Sequence, residues 1–79
     1  MINYSLQQIQ QAVSSGDIGN ALGVSVGGTQ TMRDMLESLK NQVSSGQLNL
    51  VQYQSLADPL VKAAQRNTEV LSGQGSKND

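Results

Sequence analysis

The feature that most restricts this chain is the spacing of its apolar residues, which follows a helical period in three blocks. Ile2, Leu6, Ile9 and Val13 lie along one face of a 3.6-residue repeat. Met32, Met35, Leu36, Leu39 and Val43 trace a second stripe. Tyr53, Leu56, Leu60, Ala64 and Leu71 trace a third, with Val61 and Val70 beside them. The expected fold is all-α: a helical hairpin with an additional N-terminal amphipathic helix.

Start and stop signals punctuate these stripes. Ser5 with Gln8 can form a capping box, and Gly16 after Ser14-Ser15 stops the first helix. Asp17 can cap a short helical turn holding Ile18, Ala21 and Leu22. Gly23 to Gly28 packs three glycines into the run GVSVGG and reads as a flexible joint. The second helix is expected from about Thr29 or Thr31 to Ser44, closed by Ser44-Ser45-Gly46 with Gly46 as the turn. Asn49 with Gln52 can cap the third. Pro59 either kinks that helix or breaks it, with Asp58 as N-cap of the restart and Pro59 as its first residue. The organisation read from these signals is an N-terminal helical arm over 1–22, a Gly-rich joint over 23–28, a hairpin over 29–72 and a flexible tail over 73–79. One echo runs through the chain. Ile9-x3-Val13-Ser14-Ser15-Gly16-x-Ile18 returns thirty residues later as Leu39-x3-Val43-Ser44-Ser45-Gly46-x-Leu48, read either as a duplicated helix–turn unit or as a common way to end a helix.

Composition narrows the functions. Of 79 residues none is His or Cys, which removes the commonest general base and any thiolate metal site. Asp34 and Glu37 lie three apart, but both sit early in a helix, where acids are favoured in any case, and Lys40 follows them. GVSVGG has no phosphate-loop spacing. No enzyme, cofactor or metal is expected. A net charge of −1 with five scattered basic residues disfavours nucleic acid. No apolar run is long enough to span a bilayer. The first residues lack the basic and apolar regions of a cleaved signal, so the expected location is the cytoplasm, or outside it by a route without a cleaved leader.

With no Phe, no Trp and only two Tyr, the core is thin. A chain this small barely offsets its conformational entropy by burial. Its other faces are amide- and hydroxyl-rich, so they can meet protein without stripping charges. Both features suit a subunit that completes its order by packing against other protein subunits, copies of itself first among them. The residues expected to form that packing set are Met35, Leu36, Leu39, Val43, Tyr53, Leu56, Leu60, Ala64 and Leu71.

Three resemblances bear on this. Leu36-x-x-Leu39, Gln47-Leu48, Tyr53-Gln54-Ser55 and Ala64-Gln65-Arg66-Asn67-Thr68 make the stretch from Leu39 to Leu71 resemble the core of the type III secretion needle family. That resemblance implies a bacterial structural protein with a helical hairpin that polymerises into a tube. The chain departs from the family in having Gly46 where the loop carries prolines, in Pro59, and in its polar end. Leu39-Lys40, Ser45-Gly46 and Ala57-Asp58-Pro59-Leu60 are similar to the C-terminal part of flagellar anti-sigma factors, which implies a regulator that folds on a sigma factor. Ile18-Gly19-Asn20-Ala21-Leu22-Gly23-Val24-Ser25 resembles the turn of a helix-turn-helix DNA reader. There the recognition face would be Thr29, Gln30, Thr31 and Arg33, on a helix expected to start too late for the tight angle the motif needs.

Overall fold

Two short helices and two long ones follow each other along the chain, and in the computed structural model, which describes residues 2–76, they form a single core. They are α1 (Leu6–Ser14), α2 (Ile18–Leu22), α3 (Val26–Ser44) and α4 (Leu50–Ser76), and among the described residues there is no strand. The all-α fold and the long hairpin, α3 turning back into α4, are as the stripes predict. At 27 residues, α4 spans about 40 Å at 1.5 Å per residue, which sets the long axis of a body 48 × 24 × 18 Å.

Local bonds place most of the ends. The Ser5 hydroxyl accepts from the Gln8 amide at 3.2 Å while Gln8 Oε1 accepts from the Ser5 amide at 2.9 Å, the reciprocal box that opens α1. Asn49 Oδ1 accepts from the Gln52 amide at 2.8 Å just ahead of α4. Gly46 closes α3 at φ +83°, where its amide reaches the Val43 carbonyl and the Gln47 amide the Gln42 carbonyl, at 3.1 and 2.9 Å. Gly16 closes α1 at φ +81° with its amide 3.5 Å from the Val13 carbonyl, but the next amide, that of Asp17, turns to Ser15 Oγ at 3.4 Å. The thirty-residue echo thus shares its left-handed glycine and its flanking burial, while the bonds after the glycine and the start of the next helix differ. Ile9 and Leu39 are wholly buried before the turn, and Ile18 and Leu48 are buried after it.

Three boundaries differ from the expectation. The joint over 23–28 shrinks to Gly23, Val24 and Ser25, because Val26, Gly27 and Gly28 form the first turn of α3. The Ser25 hydroxyl caps that turn by accepting from the Gly28 amide at 2.9 Å. A Cβ on Gly28 would run into the carbonyl oxygens of Gly23 and Leu22, so the glycine is there for close approach and not for freedom. Pro59 lies inside a continuous α4, and no restart occurs at Asp58. Ala57 and Leu60 are both core residues, and burial on either side holds that turn helical despite the missing bond. The tail was expected to begin at 73, yet α4 runs on to Ser76. Once a helix is anchored by packing, each added residue gains a backbone bond, which outweighs the modest cost of a glycine. Residues 77–79 of the expected tail lie outside the described residues.

The arm over 1–22 is not a separate unit either. Ile9, Ala12 and Ile18 share one cluster with Met32, Met35, Leu39, Leu48, Ala57 and Leu60. Ahead of α1 the chain is laced to α3 by polar side chains four residues apart. The Ile2 amide donates to Asp34 Oδ2 at 3.5 Å, the Tyr4 amide to Ser38 Oγ at 3.0 Å, and Gln42 Nε2 to the Tyr4 carbonyl at 3.3 Å. Four helical residues rise about 6 Å and two extended ones about 6.8 Å, so the two spacings match closely enough for Asp34 and Ser38 to reach alternate amides. At the other end of the core, buried Asn67 of α4 donates from Nδ2 to the Gly23 carbonyl at 3.1 Å. That bond fixes the α2–α3 turn against α4.

Candidate functional site

The residues expected to mediate packing between subunits divide by depth. Met35, Leu39 and Leu60 are buried in the molecule's own core. Leu36, Val43, Tyr53, Leu56 and Ala64 are half-buried and pack against that core. Leu71 alone of the set is exposed, at 42%. Most of the expected set therefore holds this chain together. Gly46 is the turn, as read.

Uncovered apolar side chains occur in several places, with Ile2, Val24, Leu50, Val51 and Val70 exposed elsewhere, but three of them, Val26, Val61 and Leu71, lie along one groove between the two long helices. One stretch of this groove, about 630 Å³, is lined by Leu36 and Arg33 from α3 and by Val61, Ala64, Thr68 and Glu69 from α4. It continues past Arg33 and Thr68 into a second stretch of about 290 Å³, where Val26 and Gln30 face Leu71 and Ser72. Val61 and Leu71 are about two-fifths exposed and Val26 about three-quarters, at 39%, 42% and 77%. The groove forms because α4 presents Val61, Ala64, Thr68 and Leu71 at spacings of three, four and three, the seam spacing of packed helices, while its core face is turned inward. Ala64 and Thr68 are small, which keeps its middle low. The rims carry one charge of each sign, Arg33 on α3 and Glu69 on α4. Val26 and Val61 were not in the expected set. The three–four–three spacing was the signal for Val61, whereas Val26 was hidden by the glycines after it.

The other chemistry weighed from the sequence does not assemble. Asp34 is buried and engaged, with Gln30 Nε2 donating to its Oδ1 at 3.0 Å and the Ile2 amide to its Oδ2, whereas Glu37 is exposed. Among the described residues no three of Asp, Glu, His or Cys come together as a metal site. No helix of the described residues is long and apolar enough to cross a membrane.

The helix-turn-helix resemblance gains one feature and loses another. Capped by Ser25, α3 starts directly after the turn at Gly23 and not late. Of the four expected reading residues, however, Thr29 is buried with its hydroxyl on the Ser25 carbonyl, and the Thr31 hydroxyl bonds the Gly27 carbonyl. Gln30 and Arg33 are left to face outward, a single cation for a polyanion.

A second groove, of about 290 Å³, on the other side of α4 runs past Val13, Val24, Pro59 and Val70, edged by Asp17, Lys62 and Arg66. Comparison of the chain with protein-family models, with curated proteins and with solved structures finds no match.

Proposed function

We propose that this chain is a non-catalytic assembly subunit that receives a neighbouring copy of itself in the groove between α3 and α4. The observation that carries the reading is the contrast between a closed core and an open seam. Among the described residues nine apolar side chains are buried, yet Val26, Val61 and Leu71 stand uncovered in one line beside half-covered Leu36 and Ala64. Apolar side chains set at seam spacing are stabilised by a second helix, at roughly 25 cal/mol per Å² removed from water. Most polar residues around them are neutral, so only Arg33 and Glu69 on the rims carry the larger cost of desolvating a charge, which pairing offsets. A subunit of a protein-export needle or rod is the most concrete form of this reading, and what supports it is the sequence resemblance along α4 together with the hairpin.

Sedimentation velocity from low to high micromolar concentration tests the proposal. The expected result is association that rises with concentration and is lost in Val61→Asp and Leu71→Asp, both at exposed positions, with helix content unchanged. A chain that stays monomeric throughout overturns it. So does association that both variants leave intact. A regulator of the anti-sigma kind would show the first of these results and would bind a sigma factor instead. Electron micrographs of concentrated protein separate tubes from discrete complexes.

A further inference from the structure

We infer that the pair formed through this groove is closed and two-fold, with each α4 lying over the partner's α3 and Arg33 of each copy facing the partner's Glu69. This rests on the docking reading above and adds the register.

The register follows from which residues share a level. The turn at Gly46 makes α3 and α4 antiparallel, so the groove can be read as successive rungs. One stretch brings Leu36 and Arg33 of α3 together with Val61, Ala64, Thr68 and Glu69 of α4, and the next brings Val26 and Gln30 together with Leu71. The antiparallel order then sets Leu36 toward Val61 and Ala64, Arg33 toward Thr68 and Glu69, and Val26 toward Leu71. A two-fold axis parallel to the hairpin carries α3 to the place opposite the partner's α4 without changing its height. Residues that face across the groove within one copy then face each other again between copies. Leu36 meets the partner's Ala64, Val26 is covered by the partner's Leu71, and Arg33 meets the partner's Glu69. Each contact occurs twice, as an isologous interface requires. Four antiparallel helices result, a geometry in which apolar seams close and rim charges choose the orientation.

The other arrangements lack this match. A two-fold across the groove lays α4 on α4 and sets Val61 against the partner's Leu71. It leaves Glu69 away from Arg33, because the two start on different helices. A head-to-tail contact makes any Arg33–Glu69 pairing once per interface and leaves the other groove open. Since the two-fold uses both grooves, any longer assembly has to grow from elsewhere on the surface, where Leu50 and Val51 are exposed at 66% and 77% and Val24 and Val70 flank another groove.

Charge reversal tests the register. Arg33→Glu and Glu69→Arg each place like charges opposite one another twice. Each alone is expected to weaken the dimer on the order of tenfold, and the double reversal to restore it. Glu37 lies one turn from Arg33 on α3 and Arg66 one turn from Glu69 on α4, and Arg33 and Glu69 flank one groove within each copy, so each reversal also adds like-charge pairs inside the monomer. Thermal melts of every variant below the association range measure that effect, and the change in dimer dissociation constant is compared after it is subtracted. Weakening by both single variants with restoration by the double supports the two-fold. Association that ignores both reversals, or that the double variant fails to restore, overturns the register. In that case loss of association in Leu71→Asp still upholds the groove. If Leu71→Asp also leaves association intact, the docking reading falls with the inference.

Discussion

At Gly28 a single methyl group decides whether α2 and α3 can meet. Its amide is held by the Ser25 hydroxyl, and a Cβ there would strike two backbone carbonyl oxygens. Gly28→Ala is expected to destabilise the chain by about 1–3 kcal/mol in urea melts, as overpacking does. Gly27→Ala is expected to do the opposite. A Cβ at that position meets only the Ser25 hydroxyl, at 3.8 Å, so lower unfolded-state entropy and better helix propensity stabilise by about 0.4–1 kcal/mol. The sequence shows three glycines in one short run and invites one explanation for all of them. The fold gives them separate roles: Gly23 takes φ +97°, Gly28 permits contact, and Gly27 does neither. Nothing in a local window separates these roles, because the atoms that decide them belong to a turn several residues away. Asn67 was illegible for the same reason. Its partner carbonyl lies 44 positions off in the chain.

Helix ends were readable where both halves of a cap lie within four residues and good helix formers follow, as at Ser5 with Gln8 and Asn49 with Gln52. The start of α3 was not, since poor propensity at Val26, Gly27 and Gly28 outweighed the Ser25 signal and only tertiary contact restores it. Pro59 poses the converse case. Local rules favour a break there, and burial of Ala57 and Leu60 overrides them. Pro59→Ala restores the amide that α4 lacks and is expected to raise stability, by up to about 3 kcal/mol, with a higher melting temperature. The extended segment ahead of α1 depends on α3 in another way. Ser38→Ala removes the acceptor of the Tyr4 amide and is expected to cost about 0.5–1.5 kcal/mol. Hydrogen exchange at Tyr4 checks it directly: protection should fall there, while the middle of α4 keeps its own.

For the molecule as a whole, the apolar stripes revealed which side of each helix is greasy but not what covers it. Leu39 and Leu71 belong to equally good stripes; one is wholly buried by its own chain and the other stands 42% exposed. Leu39→Ala is expected to cost about 2–5 kcal/mol, a large share of the stability of so small a domain. Leu71→Ala should change the monomer's stability by no more than about 0.5 kcal/mol. Urea titration of both variants at a concentration below association gives the comparison. The way the first residues are held has a further consequence. Two amides and one carbonyl are gripped, all of them main-chain atoms that every residue but proline can offer. Lineages descended from this chain should therefore drift freely at Ile2 and Asn3, short of proline at position 2, while Asp34, Ser38 and Gln42 persist. Ancestry would preserve the grip and not the thing gripped.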